Sequence, residues 1–174
     1  ISRAGTRAPS PSVAAGALDP ERIVRLEDDA VVVLDQRLLP DELSELRCRD
    51  AAELAHAIRV LAVRGAPAIG VAAAYGMALA AATGADLDDV YETLVASRPT
   101  AVNLRWALDE MRADPSREHA RRIHEEEVAL RGLADTHHKA GHFDVAHDYC
   151  LRALTLTRDV RDVRYAFGCQ LLAR

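Results

Sequence analysis

Residues 64–70 read Arg-Gly-Ala-Pro-Ala-Ile-Gly and run straight into Val-Ala-Ala-Ala-Tyr-Gly at 71–76. A fixed positive charge, two small residues and a proline thus stand directly before an alanine-rich helical run. A helix N-terminus offers backbone N–H groups without intrahelical partners and a partial positive charge. Glycine allows close approach of a ligand to the backbone. An arginine adds a planar fork that matches phosphate. Together Arg64, Gly65 and Ala66 suit an anion pocket for a phosphorylated small molecule. The same residues also suit a tight turn into a buried helix, with Arg64 paired to a structural carboxylate.

The flanking elements must hold that turn in place. Residues 23–26 and 31–34 are short β-branched runs separated by Glu27-Asp28-Asp29-Ala30, which predicts a hairpin. Pro40 and Asp41 break the chain, and residues 45–49 predict a third strand. Asp50 with Glu53 three residues on forms a capping-box pattern. Leu54, Ala57, Ile58, Leu61 and Ala62 follow with the period of one buried helix face. After the break at 63–67, the small-residue helix is expected to run to about Ala82 and stop at Thr83-Gly84. Asp86 caps a third helix with the stripe Leu87, Val90, Tyr91, Leu94 and Val95. Ser97-Arg98-Pro99-Thr100 ends it, because proline disfavours helix at the preceding residue. Leu104, Ala107, Leu108 and Met111 mark a fourth helix, and Ser116 caps a polar helix from about Arg117 to Leu130.

Composition narrows the partners. The chain has 174 residues and a formal net charge of −5, and Lys139 is its only lysine. That balance argues against a general nucleic-acid surface. Cys48, Cys150 and Cys169 are widely spaced and form no CxxC pair, so neither a disulfide framework nor a zinc site is indicated. A reducing, cytoplasmic setting is the expectation. The apolar run at 66–82 contains two glycines, a proline and a tyrosine, and reads as a buried helix rather than a membrane span. Residues 1–20 are rich in Ala, Ser, Pro and Arg and read as a disordered tail.

Three blocks, in order, carry a resemblance. They are Leu34-Asp35-Gln36-Arg37-Leu38-Leu39-Pro40, then Ile58-Arg59 through Gly76, then Ser97-Arg98-Pro99-Thr100-Ala101-Val102-Asn103-Leu104. In these the chain resembles the N-terminal domain of the methylthioribose-1-phosphate isomerases. The wider family includes the regulatory subunits of eukaryotic initiation factor 2B and the ribose-1,5-bisphosphate isomerases. The first and third blocks point to the methylthioribose branch. The resemblance implies a metal-independent aldose–ketose isomerase of methionine salvage, acting on a sugar 1-phosphate without a cofactor. It implies that Arg64, Gly65 and Ala66 line the substrate pocket and that Arg98 reaches it from the next loop. Asn103 is then a helix cap or holds that loop. Homodimers are typical of the family.

The family's acid/base residues are a cysteine in a Thr-His-Cys-Asn-Ala-Gly-type segment and a later aspartate, both in a C-terminal Rossmann-like domain. Here Thr136-His137-His138-Lys139-Ala140-Gly141 is only an echo, with His138 in the cysteine position. No catalytic residue is therefore carried over, and the chain reads as a fragment or fusion that is inactive alone.

The character of the chain changes near Leu130. Leu133, Ala134, His137, Gly141, Phe143, Ala146, Cys150, Ala153 and Leu154 fall at helix-turn-helix spacing. Phe167-Gly168 begins a second copy roughly thirty-four residues on. This tail resembles a tetratricopeptide repeat, which implies a peptide or protein partner. His137, His138, His142 and His147 are read as surface histidines rather than zinc ligands. The expected organisation is a tail at 1–20, an isomerase-like domain at 21–130 and a partial repeat at 131–174. The expected fold is α+β: a small antiparallel sheet, a helical bundle and a helical-hairpin tail. The alternative function is a non-catalytic protein-interaction module that uses the repeat.

Overall fold

The computed structural model describes residues 20–156. The tail expected over residues 1–20 lies outside them except for its last residue, as do Phe167-Gly168 and Cys169. The side chain of Cys150 is likewise not described.

The β-branched runs form strands. β1 (Val24–Leu26), β2 (Val31–Leu34) and β3 (Glu45–Cys48) make an antiparallel sheet in the order β1-β2-β3. Val24 pairs with Val33, and Val31 pairs with Cys48. These four side chains share one face and enter the core. Val32 lies on the other face, between Arg25 and Arg47, yet it too is buried. The two arginines flank it, and their heads are held by Glu45, Glu27 and Asp29.

Seven helices complete the described residues: α1 (Pro20–Ile23), α2 (Ala51–Arg59), α3 (Ala66–Thr83), α4 (Leu87–Ser97), α5 (Val102–Ala113), α6 (Arg117–Lys139) and α7 (Phe143–Leu156). The sheet-plus-bundle α+β architecture with a helical hairpin at its end is the one expected from the sequence. α1 is the one addition. It occupies the segment just before β1.

α3 is apolar all round and packs against α2, α4, α5, α6, β1 and β2. It is long and apolar enough to cross a membrane by composition, but 72% of that window is buried inside the fold. A helix without a polar face belongs in a core. Its small residues let neighbours approach closely. A Cβ on Gly76 would lie 2.6 Å from Leu54 Cδ2 and 3.2 Å from Leu94 Cδ1. Gly84 ends α3 in the left-handed conformation, as the Thr83-Gly84 signal predicted.

α6 is continuous from Arg117 to Lys139, so the polar helix expected to end near Leu130 and the first arm of the hairpin are one element. Ala120 and Ile123 bury its first half, and Gly141, at φ 78°, turns the chain into α7. Leu133, Phe143 and Val145 on the hairpin stay 40–48% exposed.

Two tests follow from this packing. Leu54 and Leu94 are fully buried and cannot yield without repacking, so Gly76→Ala should lower the unfolding free energy by about 1–3 kcal/mol in denaturant titration. Burial also pushes the Cys48 thiol up to about 11. Peptide mass spectrometry after iodoacetamide treatment at pH 8 should find Cys48 unmodified in the native chain and alkylated in urea.

Candidate anion-binding site

The turn that carries Arg64 is built by the end of α2. Ala62 N–H returns to Ala57 O at 2.9 Å, and Leu61 occupies the left-handed region at φ 63°. Glycine is the usual residue in that conformation. Leu61 adopts it with its side chain turned outward, 45% exposed. Ala62 and Val63 are fully buried and anchor the segment. Arg64 and Gly65 emerge beyond them, both exposed.

Gly65 is the N-cap of α3 at φ 90° and ψ 132°, a conformation that side-chain-bearing residues avoid. A Cβ there would meet nothing within 4 Å, so the space before the helix is open. No side chain caps α3. Pro67 in its first turn has no N–H, which leaves the amides of Ala66 and Ala68 as its unbonded donors.

Arg98 lies half-buried at the C-cap of α4. The turn after it closes through Ala101 N–H to Arg98 O at 3.0 Å and opens α5. The N-cap of α5 is Ala101, with no side-chain hydrogen bond. Asn103 sits inside the helix, so the capping role expected for it is not what the structure shows. Its backbone carbonyl instead lies against α3: a Cβ on Gly70 would lie 3.1 Å from Asn103 O. The start of α5 is thus set against the second turn of α3.

The helix ends differ in a telling way. α2, α4 and α6 are capped by Asp50, Asp86 and Ser116, and each has an acid in its first turn. α3 and α5 have neither a side-chain cap nor a first-turn acid. These two are the helices preceded by Arg64 and Arg98. Their N-terminal charge is left uncompensated.

Arg64 forms no ion pair among the described residues, so the alternative of a structural carboxylate partner is not realised. Its Nη2 donates to the main-chain oxygen of Gln36, and Gln36 Nε2 donates back to Arg64 O at 3.4 Å. The carboxylate nearby, Asp35, is taken by Arg37: Nε to Oδ1 at 2.7 Å and Nη2 to Oδ2 at 2.5 Å. Hydrogen bonds from Arg37 hold the Asp35 carboxyl below the usual range, and the charge of Arg64 adds to the effect. Asp35, Gln36 and Arg37 were visible in the sequence only as part of a block. The signal for their role was an acid and an arginine two residues apart, just after a β-branched run.

Other candidates gather elsewhere. Tyr75 and His124 share a hydrogen bond at 2.8 Å between α3 and α6. His124 also lines an open cleft of about 30 Å³ together with Val24, Pro67, Ala68 and Glu127. His137 stacks on Tyr149 with ring centroids 5.4 Å apart and lies 5.8 Å from His142. Among the described residues no three His, Cys, Asp or Glu side chains are grouped to hold a metal ion.

Comparison with known proteins gives partial likenesses. A family model described as the Initiation factor 2 subunit family matches residues 62–146. More particularly, the chain is 53% identical over 93 residues to the methylthioribose-1-phosphate isomerase of Parasynechococcus marenigrum, covering 53% of this chain and 28% of that one. It is 56% identical over 86 residues to the enzyme of the same name from Thermus thermophilus, covering 49% and 26%. Among solved structures, it is similar to 5-methylthioribose 1-phosphate isomerase from Pyrococcus horikoshii. That match has a TM-score of 0.60 at 30% identity and covers 70% of this chain and 42% of that one. The chain therefore spans about a quarter to a third of the length of such curated relatives.

The charge at Asp35 makes a pH test. A carboxyl held below its ordinary value stabilises the fold at neutral pH and stops doing so as pH falls through that lowered value. Asp35→Asn should be less stable than the parent chain at pH 7. The gap in denaturation midpoints should close as pH is taken below about 4.

Proposed function

We propose that this chain is the sugar-phosphate-binding part of a methylthioribose-1-phosphate isomerase, in which Arg64, Gly65, Ala66 and Arg98 receive the phosphorylated pentose. The observation that carries the reading is the pairing of the two arginines with the two helix N-termini that lack caps and acids. The likeness to isomerases across about half of this chain supports it. Two guanidinium groups and the free amides of α3 supply donors and positive charge for a phosphate dianion. Moving hydrogen between neighbouring carbons then needs an acid/base group at a tuned pKa. That group is not assigned to any residue here, and the chain alone is a binder without turnover. We read it as cytoplasmic and as able to pair with a second copy.

A second reading rests on the exposed Leu133, Phe143 and Val145 of the hairpin. It makes α6 and α7 part of a tetratricopeptide-type arm for a peptide partner, with the isomerase-like region as its scaffold.

Calorimetric titration of the full chain with 5-methylthioribose 1-phosphate tests the first reading. Each charge-assisted pair contributes about 1.5–3 kcal/mol, so Arg64→Ala and Arg98→Ala should each weaken binding roughly 10- to 100-fold. A coupled assay on the purified chain should register no isomerisation. Parental affinity in both arginine variants, or robust turnover by the chain alone, would refute it.

A further inference from the structure

We propose that Arg37 is a positioning residue: by occupying the Asp35 carboxylate it leaves the guanidinium of Arg64 free for an anion. The proposal rests on the reading of Arg64 as a phosphate ligand.

Asp35 directly follows β2 and is 3% exposed. A buried carboxylate must be paired, because leaving one alone costs several kcal/mol. Two arginines act on it electrostatically. Arg37 holds both carboxylate oxygens with a two-pronged fork, and its own backbone N–H adds a third bond to Oδ1 at 3.1 Å. The fork places one positive charge directly on the one negative charge. Arg64 acts on the same carboxylate through space but makes no hydrogen bond to it.

The residue between Asp35 and Arg37, Gln36, fixes Arg64 by neutral contacts. Its main-chain oxygen accepts from Arg64 Nη2, its side-chain amide donates to Arg64 O, and its N–H donates to Ala62 O at 3.0 Å. A carbonyl orients the guanidinium without cancelling its charge. One acid and two arginines therefore leave one net positive charge, and the geometry puts it on Arg64 at the open N-terminus of α3. Removing the Arg37 fork would leave Asp35 unpaired, with Arg64 as the neighbouring cation able to neutralise it. An Arg64 drawn onto Asp35 is lost to the phosphate.

The experiment is titration of the full chain with 5-methylthioribose 1-phosphate in four variants, with a thermal midpoint recorded for each. Arg37→Gln should weaken binding at least tenfold. The double variant Asp35→Asn with Arg37→Gln has no carboxylate to capture Arg64, and binding should return to within about threefold of the parent chain. Arg37→Lys keeps the charge without the fork and should fall between. Arg64→Ala tests the underlying reading separately. If Arg64→Ala binds like the parent chain, the site is wrong and the proposal falls with it. If Arg64→Ala loses binding but Arg37→Gln does not, Arg37 has no such role. If the double variant stays as weak as Arg37→Gln, Arg37 acts on the phosphate or on loop structure directly, and the proposal is overturned. Should Arg37→Gln fail to fold, the double variant decides alone: binding supports the proposal, and its loss refutes it.

Discussion

The close approach of α2 and α4 to Gly76 sets the shape of the described fold. Leu54 and Leu94 fill the space where a side chain at residue 76 would stand. A helix can be enclosed by four other helices and two strands only if its own side chains are short. Alanine and glycine meet that demand, and the cost is a helix with little apolar area per residue. The stabilisation comes instead from what packs onto it: Leu54, Ile58, Leu94, Leu104, Leu108 and Met111, all fully buried. Gly70 extends the same logic to α5, whose Asn103 carbonyl reaches the α3 backbone. The core helix is therefore also the ruler that fixes where the segments before α3 and α5 emerge.

That ruler ends in polar chemistry. The uncapped ends of α3 and α5 lack the acids that settle the other N-termini. An uncompensated helix end is a small, directed source of positive potential that fades within a turn. It acts on an anion only if the chain beside it is also free of carboxylates. Asp35 is the exception, and it is buried and neutralised by Arg37. Fold and electrostatics thus meet in one short loop. Its backbone is tied to the segment before α3 by Gln36 N–H to Ala62 O and Gln36 Nε2 to Arg64 O.

What the sequence made legible was local. The caps Asp50, Asp86 and Ser116 bond to amides two or three residues away, so spacing alone identifies them. Even there the detail shifted: Glu53 accepts from Arg49 N–H rather than from the cap residue itself. Strand pairing followed from β-branched runs and a turn. The rest depended on tertiary neighbours. Asn103 looks like a cap by type, but the chain enters α5 at Ala101 and leaves Asn103 to contact α3. The change of composition near Leu130 looks like a break, yet residues 130 and 131 adjoin within α6, because helical hydrogen bonding is indifferent to which residues face solvent. The partition of charge among Asp35, Arg37 and Arg64 could not be read at all. It turns on which guanidinium reaches a carboxylate that only the folded chain buries.

The openness of the site bears on affinity. Arg64 and Gly65 face solvent, and the cleft of about 30 Å³ beside α6 does not enclose them. Opposite charges 4 Å apart attract by about 1 kcal/mol in water and about 4 kcal/mol near a partly desolvated protein surface. An exposed fork therefore binds a phosphate weakly, and the same fork under a covering wall binds it far more tightly. Under the proposed function, the described residues provide the charge and the orientation, and a wall would provide the low dielectric. The relatives are three to four times longer than the matched segment, since it covers 26–28% of them. Tight binding in such a protein would then belong to neither part alone. Under that reading, the arginines would act at full strength only once water has been displaced from in front of Gly65.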